Sequence, residues 1–314
     1  MFRDKGGVSM NPSTILGLLA HWPLDPAVVV GLIITAVLYW VGLQYAKRRG
    51  IERRHIAPWR TALFYLALVV IFFTLDSPLD TWADTLVWAH MVQHELLTMA
   101  AAPLLLLSQP FMLIWRGVPL GTRRATLGWM ARKRWPLHAL EAAVDFLRKP
   151  AVSFVAFTGL FSVWHLPALY DAATQNDAIH ALEHVCFLVT AVFFWSQAIP
   201  SLPFKPRLGH ISQALYFGLA MMWGNVLGWA FVDATTPFYP YYAALPRAVG
   251  AISAVDDLHF AGGVMDVTDT FIFISVMIVA LALWLADDER RQAAMDAQIA
   301  ASRLSSAPSS STQL

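Results

Sequence analysis

Two histidines and a glutamate lie close together in an apolar part of the chain. The stretch from Asp84 to Leu107 is long and apolar enough to cross a bilayer, yet it contains His90, His94 and Glu95. An ionisable side chain at the centre of a membrane helix costs roughly 2.5–3.5 kcal/mol on insertion scales. Residues four apart share one face of a helix, so the two imidazoles can act together. The cost of placing these groups in a membrane predicts that they have a function.

A second apolar segment repeats the histidine spacing, and its two histidines flank a glutamate. Imidazole with thioether sulfur suits copper, whereas imidazole with carboxylate suits zinc or iron. We therefore predict a metal site, with copper as the first candidate and zinc as the alternative. The predicted ligands are His90, His94, His180, His184 and His165. Carboxylates and thioethers that can orient or supplement these ligands are Glu95, Glu183, Asp266, Asp269, Met91, Met221, Met222 and Met265.

The same residues allow other interpretations. His180, Glu183 and His184 have the inverted zincin spacing, which would make the chain a zinc-dependent membrane hydrolase with Glu183 activating water. His90 and His184 can also be the axial ligands of a haem between two helices. Finally, membrane histidines can simply hydrogen-bond helices together, and methionines can serve only as packing residues.

The composition is that of a polytopic membrane protein. Hydrophobic residues make up 57% of the 314-residue chain and charged residues 14%, against about 25% charged in soluble domains. A membrane helix needs about 20 mostly apolar residues, and lipid-facing segments must satisfy their own backbone hydrogen bonds as helices. We predict an all-α bundle of seven transmembrane helices. The segments are Ala27–Ala46, Thr61–Leu75, Asp84–Leu107, Ala151–His165, Ile179–Gln197, Ile211–Phe231 and Ala261–Ala286.

Basic residues follow the first, third, fifth and seventh segments. These four places hold 19 of the 22 lysines and arginines, and the positive-inside rule then places the N-terminus outside and the C-terminus in the cytoplasm. We predict an extracytoplasmic segment (residues 1–26), a transmembrane domain (residues 27–286) with a basic cytoplasmic loop (residues 116–150), and a disordered cytoplasmic tail (residues 287–314). Within the loop, residues 137–147 have the spacing of an amphipathic surface helix; a solvated basic loop is the other interpretation.

The predicted topology puts the ionisable residues of the spans at one level. The third and seventh helices enter from outside, the fourth leaves there after His165, and the fifth re-enters with His180 and His184. All of these groups then lie in the outer half of the membrane. A single cysteine, Cys186, excludes an intrachain disulfide and a Cys-x-x-Cys site.

Two long motifs resemble a known family. Residues 89–94 read Ala-His-Met-Val-Gln-His, and Ala-Pro-Leu-Leu follows at residues 102–105. Residues 164–173 read Trp-His-Leu-Pro-Ala-Leu-Tyr-Asp-Ala-Ala, and His-Ala-Leu-Glu-His follows at residues 180–184. These motifs resemble the CtaG-type cytochrome c oxidase assembly factors, a multi-pass membrane family, over about residues 61–284.

The resemblance implies a non-enzymatic role in maturing a haem-copper oxidase, with copper bound or delivered from the periplasmic side. It implies location in the cell inner membrane. The implied partners are oxidase subunits or another copper-delivery protein, besides the lipid bilayer, and no nucleic acid. The chain departs from the family pattern at Glu95, where an apolar residue is usual, and at Asp266, which replaces a tryptophan; Asp269 adds a further charge. These departures leave open a divergent member with another metal or client.

Overall fold

The protein is helical throughout the part that the structure describes. A computed structural model describes residues 22–50, 57–132, 134–202, 205–245 and 252–305. We number its helices in chain order. They are α1 (Pro26–Arg48), α2 (Pro58–Asp76), α3 (Pro78–Ala83), α4 (Val87–Ser108), α5 (Phe111–Gly117), α6 (Leu120–Arg132), α7 (Arg134–Leu147), α8 (Pro150–Trp164), α9 (Pro167–Gln175), α10 (Asp177–Trp195), α11 (His210–Val232), α12 (Pro240–Ala244) and α13 (Ala254–Ser305). The predicted all-α fold is confirmed.

The predicted membrane segments all lie in helices. Six described helices are long and apolar enough to cross a membrane, and a seventh span results if His138–Leu147 and α8, bent by 78° relative to each other, count as one. Three spans begin at prolines just before the predicted starts, namely Pro26, Pro58 and Pro150. Proline is favoured there because N–H groups in the first turn have no acceptor within the helix, so the N–H that proline lacks is not missed.

Two differences from the sequence prediction concern the cytoplasmic loop and the tail. Residues 287–305 continue α13 as helix, so the disorder predicted from residue 287 is wrong for this part. Alanine, arginine and glutamine make up ten of its 19 residues, and these residues favour helix. The predicted helix at residues 137–147 is present within α7, but α6 precedes it and was not predicted. Most of the predicted N-terminal segment (residues 1–21) and the end of the tail (residues 306–314) lie outside the described residues.

Helix α4, which carries the first histidine pair, is central and packs against α2, α3, α10 and α13. Residues Leu96–Ala101 form a π-helical turn, in which the Ala102 N–H donates to the Leu97 carbonyl five residues back. The Thr98 carbonyl would bond residue 103 in the same pattern, but that residue is a proline without an N–H. The Trp195 indole of α10 donates to this carbonyl instead, over 2.8 Å. This bond fixes α10 against α4 just beyond the histidines.

Helices α1 and α5 cross at contact distance through two glycines. A Cβ built on Gly42 would lie 1.8 Å from the Leu113 carbonyl oxygen, and one built on Gly117 would lie 1.8 Å from the Leu38 carbonyl oxygen. Small residues allow membrane helices to approach this closely. The crossing therefore depends on the absence of a side chain at both positions.

Candidate metal centre

The structure brings the five predicted histidine ligands together at one end of the bundle. His90 and His94 come from α4, and His180 and His184 from the start of α10. His165 directly follows the last residue of α8. Ring centroids are 4.9 Å apart for His90 and His180, and 5.7 Å apart for His94 and His184. His165 lies 5.9 Å from His94. Three helices thus contribute imidazoles to one cluster.

Glu183 lies at the centre of this cluster. Its two carboxylate oxygens are 3.4 Å from His90 Nε2 and 3.5 Å from His94 Nε2. The side chain is fully buried, as are both histidines. In the described part of the chain, neither carboxylate oxygen has a hydrogen-bond partner. A buried carboxylate left in this state is costly, and a cation or a shared proton would remove the cost.

A tyrosine fixes the proton on His90. The Tyr242 hydroxyl donates to the Ala83 carbonyl and also lies 3.2 Å from His90 Nδ1. Burial raises the pKa of the Tyr242 phenol, so it stays protonated. Its one proton is used on the carbonyl, which can only accept, so His90 Nδ1 must donate. His90 Nε2 then carries a lone pair that faces Glu183, as a metal ligand requires.

Aromatic residues that the sequence analysis did not single out cover the cluster. The Tyr170 ring of α9 lies 4.8 Å from the His90 ring and stacks on Tyr239 at 3.9 Å. Tyr242 of α12 lies 5.3 Å from Tyr170. All three rings are buried, and they exclude water from the histidines. The density of tyrosine in residues 239–242, beside prolines, was the available signal.

Two overlapping sets of side chains have the geometry of a metal site. Within each set the ligand atoms lie within 4.8 Å of one another. The first set is His90, His180 and His184; the second is His90, His94 and Glu183. Both ring nitrogens of His94, and Nε2 of His184, have no hydrogen-bond partner among residues 22–305 as described. Imidazole nitrogens and a carboxylate that have no hydrogen-bond partner fit a transition-metal ion.

Only two of the predicted auxiliary residues lie among the histidines. Glu183 and Met91 are in the cluster, the latter with its sulfur 3.2 Å from His165 Nε2. Glu95 is buried and interacts electrostatically with Asp269 of α13, which in turn interacts with Asp266.

Among the described residues, the other three predicted thioethers form no hydrogen bond to a histidine and belong to neither ligand set. Met221 packs in the core cluster around Phe217, and Met265 is buried beside α11. Met222 is 63% exposed on the outer face of α11. Their role near a metal stays a prediction.

An aspartate from α13 holds the start of the histidine helix. The residue before α4, Leu86, has no side-chain cap, but the Asp257 carboxylate accepts from the Val87 and Trp88 N–H groups over 3.1 and 3.0 Å. A carboxylate at a helix N-terminus satisfies orphan N–H groups and opposes the helix dipole. Spacing in the sequence did not indicate this contact, which joins residues 170 positions apart.

We expect Asp257→Ala to lower the stability of the protein by about 1–3 kcal/mol, because two buried N–H groups lose their acceptor. Thermal unfolding in detergent measures the change. Asp256→Ala is the matched control, since the neighbouring Asp256 is exposed and, among the described residues, bonds only Ser253. Equal unfolding temperatures for the two variants would contradict the capping role.

Comparison with known proteins identifies the family of this chain. The profile of the cytochrome c oxidase caa3 assembly factor family matches residues 37–287, which include every helix of the cluster. No curated protein and no solved structure matches the chain. The matched region covers most of the chain, and the protein therefore belongs to the cytochrome c oxidase caa3 assembly factor family.

Proposed function

We propose that this membrane assembly factor binds copper through its buried histidine cluster and passes it to a cytochrome c oxidase. The observation that carries the proposal is the meeting of His90, His94 and Glu183, with His180 and His184 beside them. Family membership supplies the link to oxidase assembly. Copper is the cargo in this proposal, and the protein needs no nucleophile or general base to carry it.

The donor set supports binding of a transition metal. Imidazole nitrogens suit copper and zinc, and copper is the metal that the resemblance to the oxidase assembly factors implies. The tyrosine cover over the cluster keeps water out, which strengthens the interaction between the ion and Glu183. Exchange of ligands with a partner at this end of the bundle would release the ion.

The proposed topology follows the charge pattern. The loops carrying α6 and α7 are rich in arginine, and the positive-inside rule places them in the cytoplasm. The histidine cluster lies at the opposite ends of α8 and α10 and so near the periplasmic face of the cell inner membrane. An oxidase subunit, or another copper-delivery protein, would dock there.

The alternatives have weaker support. In the haem interpretation, His90 and His184 have centroids 6.1 Å apart, but the rings of His94, His180 and Tyr170 lie within 5 Å of His90 and would have to move. In the hydrolase interpretation, Glu183 would activate water beside a zinc ion; here its oxygens face His90 and His94. Either function would need a substantial rearrangement of the packed cluster.

Metal content of the detergent-purified protein tests the proposal. After mild loading with copper and zinc, we expect the wild type to retain copper and the double variant His90→Ala/His94→Ala to lose it. The control is His138→Ala/His210→Ala, which removes two imidazoles outside the cluster. Oxidase activity in membranes should fall only with the first variant. Zinc in place of copper, or equal copper in all three proteins, would overturn the proposal.

A further inference from the structure

A softer pair of ligands lies beside the main cluster. His165 Nε2 and Met91 Sδ are 3.2 Å apart, and both side chains are buried. Met91 sits on α4 next to His90, and His165 directly follows the last residue of α8. The pair joins two helices at a place where no charged group takes part in the contact.

A hydrogen bond at Nδ1 decides which ring nitrogen of His165 carries the proton. His165 Nδ1 lies 2.6 Å from the Phe161 carbonyl, which can only accept a hydrogen bond. A neutral imidazole has one proton, and the short contact to the carbonyl holds it on Nδ1. Nε2 then points a lone pair at the lone pairs of the Met91 sulfur. Two acceptors at this distance are a ligand pair that a soft cation would join.

The separation fits a single ion. Metal bonds of about 2.0 Å to imidazole nitrogen and about 2.3 Å to sulfur span 3.2 Å when they meet near a right angle. Thioether and imidazole together favour Cu(I) over zinc, because sulfur ligands of this kind are soft. The tyrosine-covered cluster is next to it, since the His94 ring is 5.9 Å from the His165 ring.

We propose that Met91 and His165 form a second, Cu(I)-selective site that adjoins the imidazole and carboxylate cluster. The inference rests on the proposed function and deepens it, since it names the oxidation state handled at this position. His94 lies between the two places, and its ring nitrogens have no hydrogen-bond partner in the described structure. A Cu(I) ion can therefore move by exchanging sulfur for imidazole, with no change in oxidation state.

X-ray absorption at the copper edge tests this site on the full-length protein loaded with Cu(I) without oxygen. We expect the wild type to show a sulfur neighbour at about 2.3 Å. Met91→Leu, which keeps the side-chain volume, should lose this neighbour and one equivalent of Cu(I) in a competition titration with a chelator. Met265→Leu is the matched control, since Met265 is buried in the same core cluster. His165→Phe removes the nitrogen of the pair and should have the same effect as Met91→Leu.

The outcomes separate the two proposals. Copper surrounded by nitrogen and oxygen alone in the wild type would overturn the Met91 and His165 site and leave the main cluster intact. A sulfur neighbour that persists in whichever of Met91→Leu and His165→Phe folds would also overturn it. Failure of the wild type to bind copper in either oxidation state would overturn the proposed function itself.

Discussion

Glu183→Gln is expected to weaken copper binding by about 100-fold. Loss of a group that orients metal ligands weakens binding by about 10- to 100-fold, and we expect Glu183 at the upper end of this range. The substitution keeps the size of the side chain and removes its charge and one ligand oxygen. Glu183 is buried, and its oxygens face His90 Nε2 and His94 Nε2. A cation between these atoms would lose both its counter-charge and a direct contact.

This variant also separates a metal ligand from a residue that only holds helices together. If Glu183 is a neutral acid bonded to the histidines, the glutamine amide can still donate to one imidazole. Stability would then be retained and copper binding, measured by competition titration, would be unchanged. Glu141→Gln is the matched control, because Glu141 pairs with His138 on the exposed face of α7. Loss of affinity in Glu183→Gln alone supports the metal centre, and equal affinity in both variants contradicts it.

Gly42→Ala is expected to prevent accumulation of the folded protein. The added Cβ would lie 1.8 Å from the Leu113 carbonyl oxygen of α5, and backbone atoms cannot rotate away as a side chain can. Overpacking usually costs about 1–3 kcal/mol, and a clash with backbone belongs at or above the top of that range. Helix α1 would have to move away from α5 as a unit.

A second glycine of α1 provides a matched control for Gly42→Ala. Gly31→Ala adds the same methyl group to α1, with nothing within 4 Å of the new Cβ. We expect Gly31→Ala to accumulate and to unfold at the temperature of the wild type, as measured by size-exclusion chromatography and thermal unfolding in detergent. Normal accumulation of Gly42→Ala would show that α1 and α5 are not held at this distance in the membrane.

The sequence alone was sufficient for the long membrane helices of this fold, but not for the short helices between them. A run of about 20 apolar residues has few uses other than a membrane helix, so the seven segments lie in helices. The ends differ by only a few residues for the first six, whereas α13 extends beyond the predicted Ala261–Ala286 to Ala254–Ser305. The spacing of His90 and His94, and of His180 and His184, follows from the helical period and needs no tertiary information. The direction of the chain across the membrane is still a prediction from the charge pattern.

Tertiary structure decided which faces of these helices meet. The helix surfaces that face lipid and those that face other helices are both apolar, so hydropathy does not determine the rotation of a membrane helix about its axis. The sequence predicts Glu183 as a carboxylate that acts with His180 and His184 of its own helix. Rotation of that helix places it against His90 and His94 of another helix. The same packing leaves Glu95 out of both ligand sets and brings it within electrostatic reach of Asp269.

Contacts between distant parts of the chain complete the site. Tyr242 fixes the proton of His90, and Asp257 caps the helix on which His90 stands. No local pattern indicates these contacts, because each joins α4 to a segment more than 150 residues away. The sequence therefore determined the helices and the chemical type of the site, whereas packing between helices determined its members, their orientation and the separate Met91 and His165 pair.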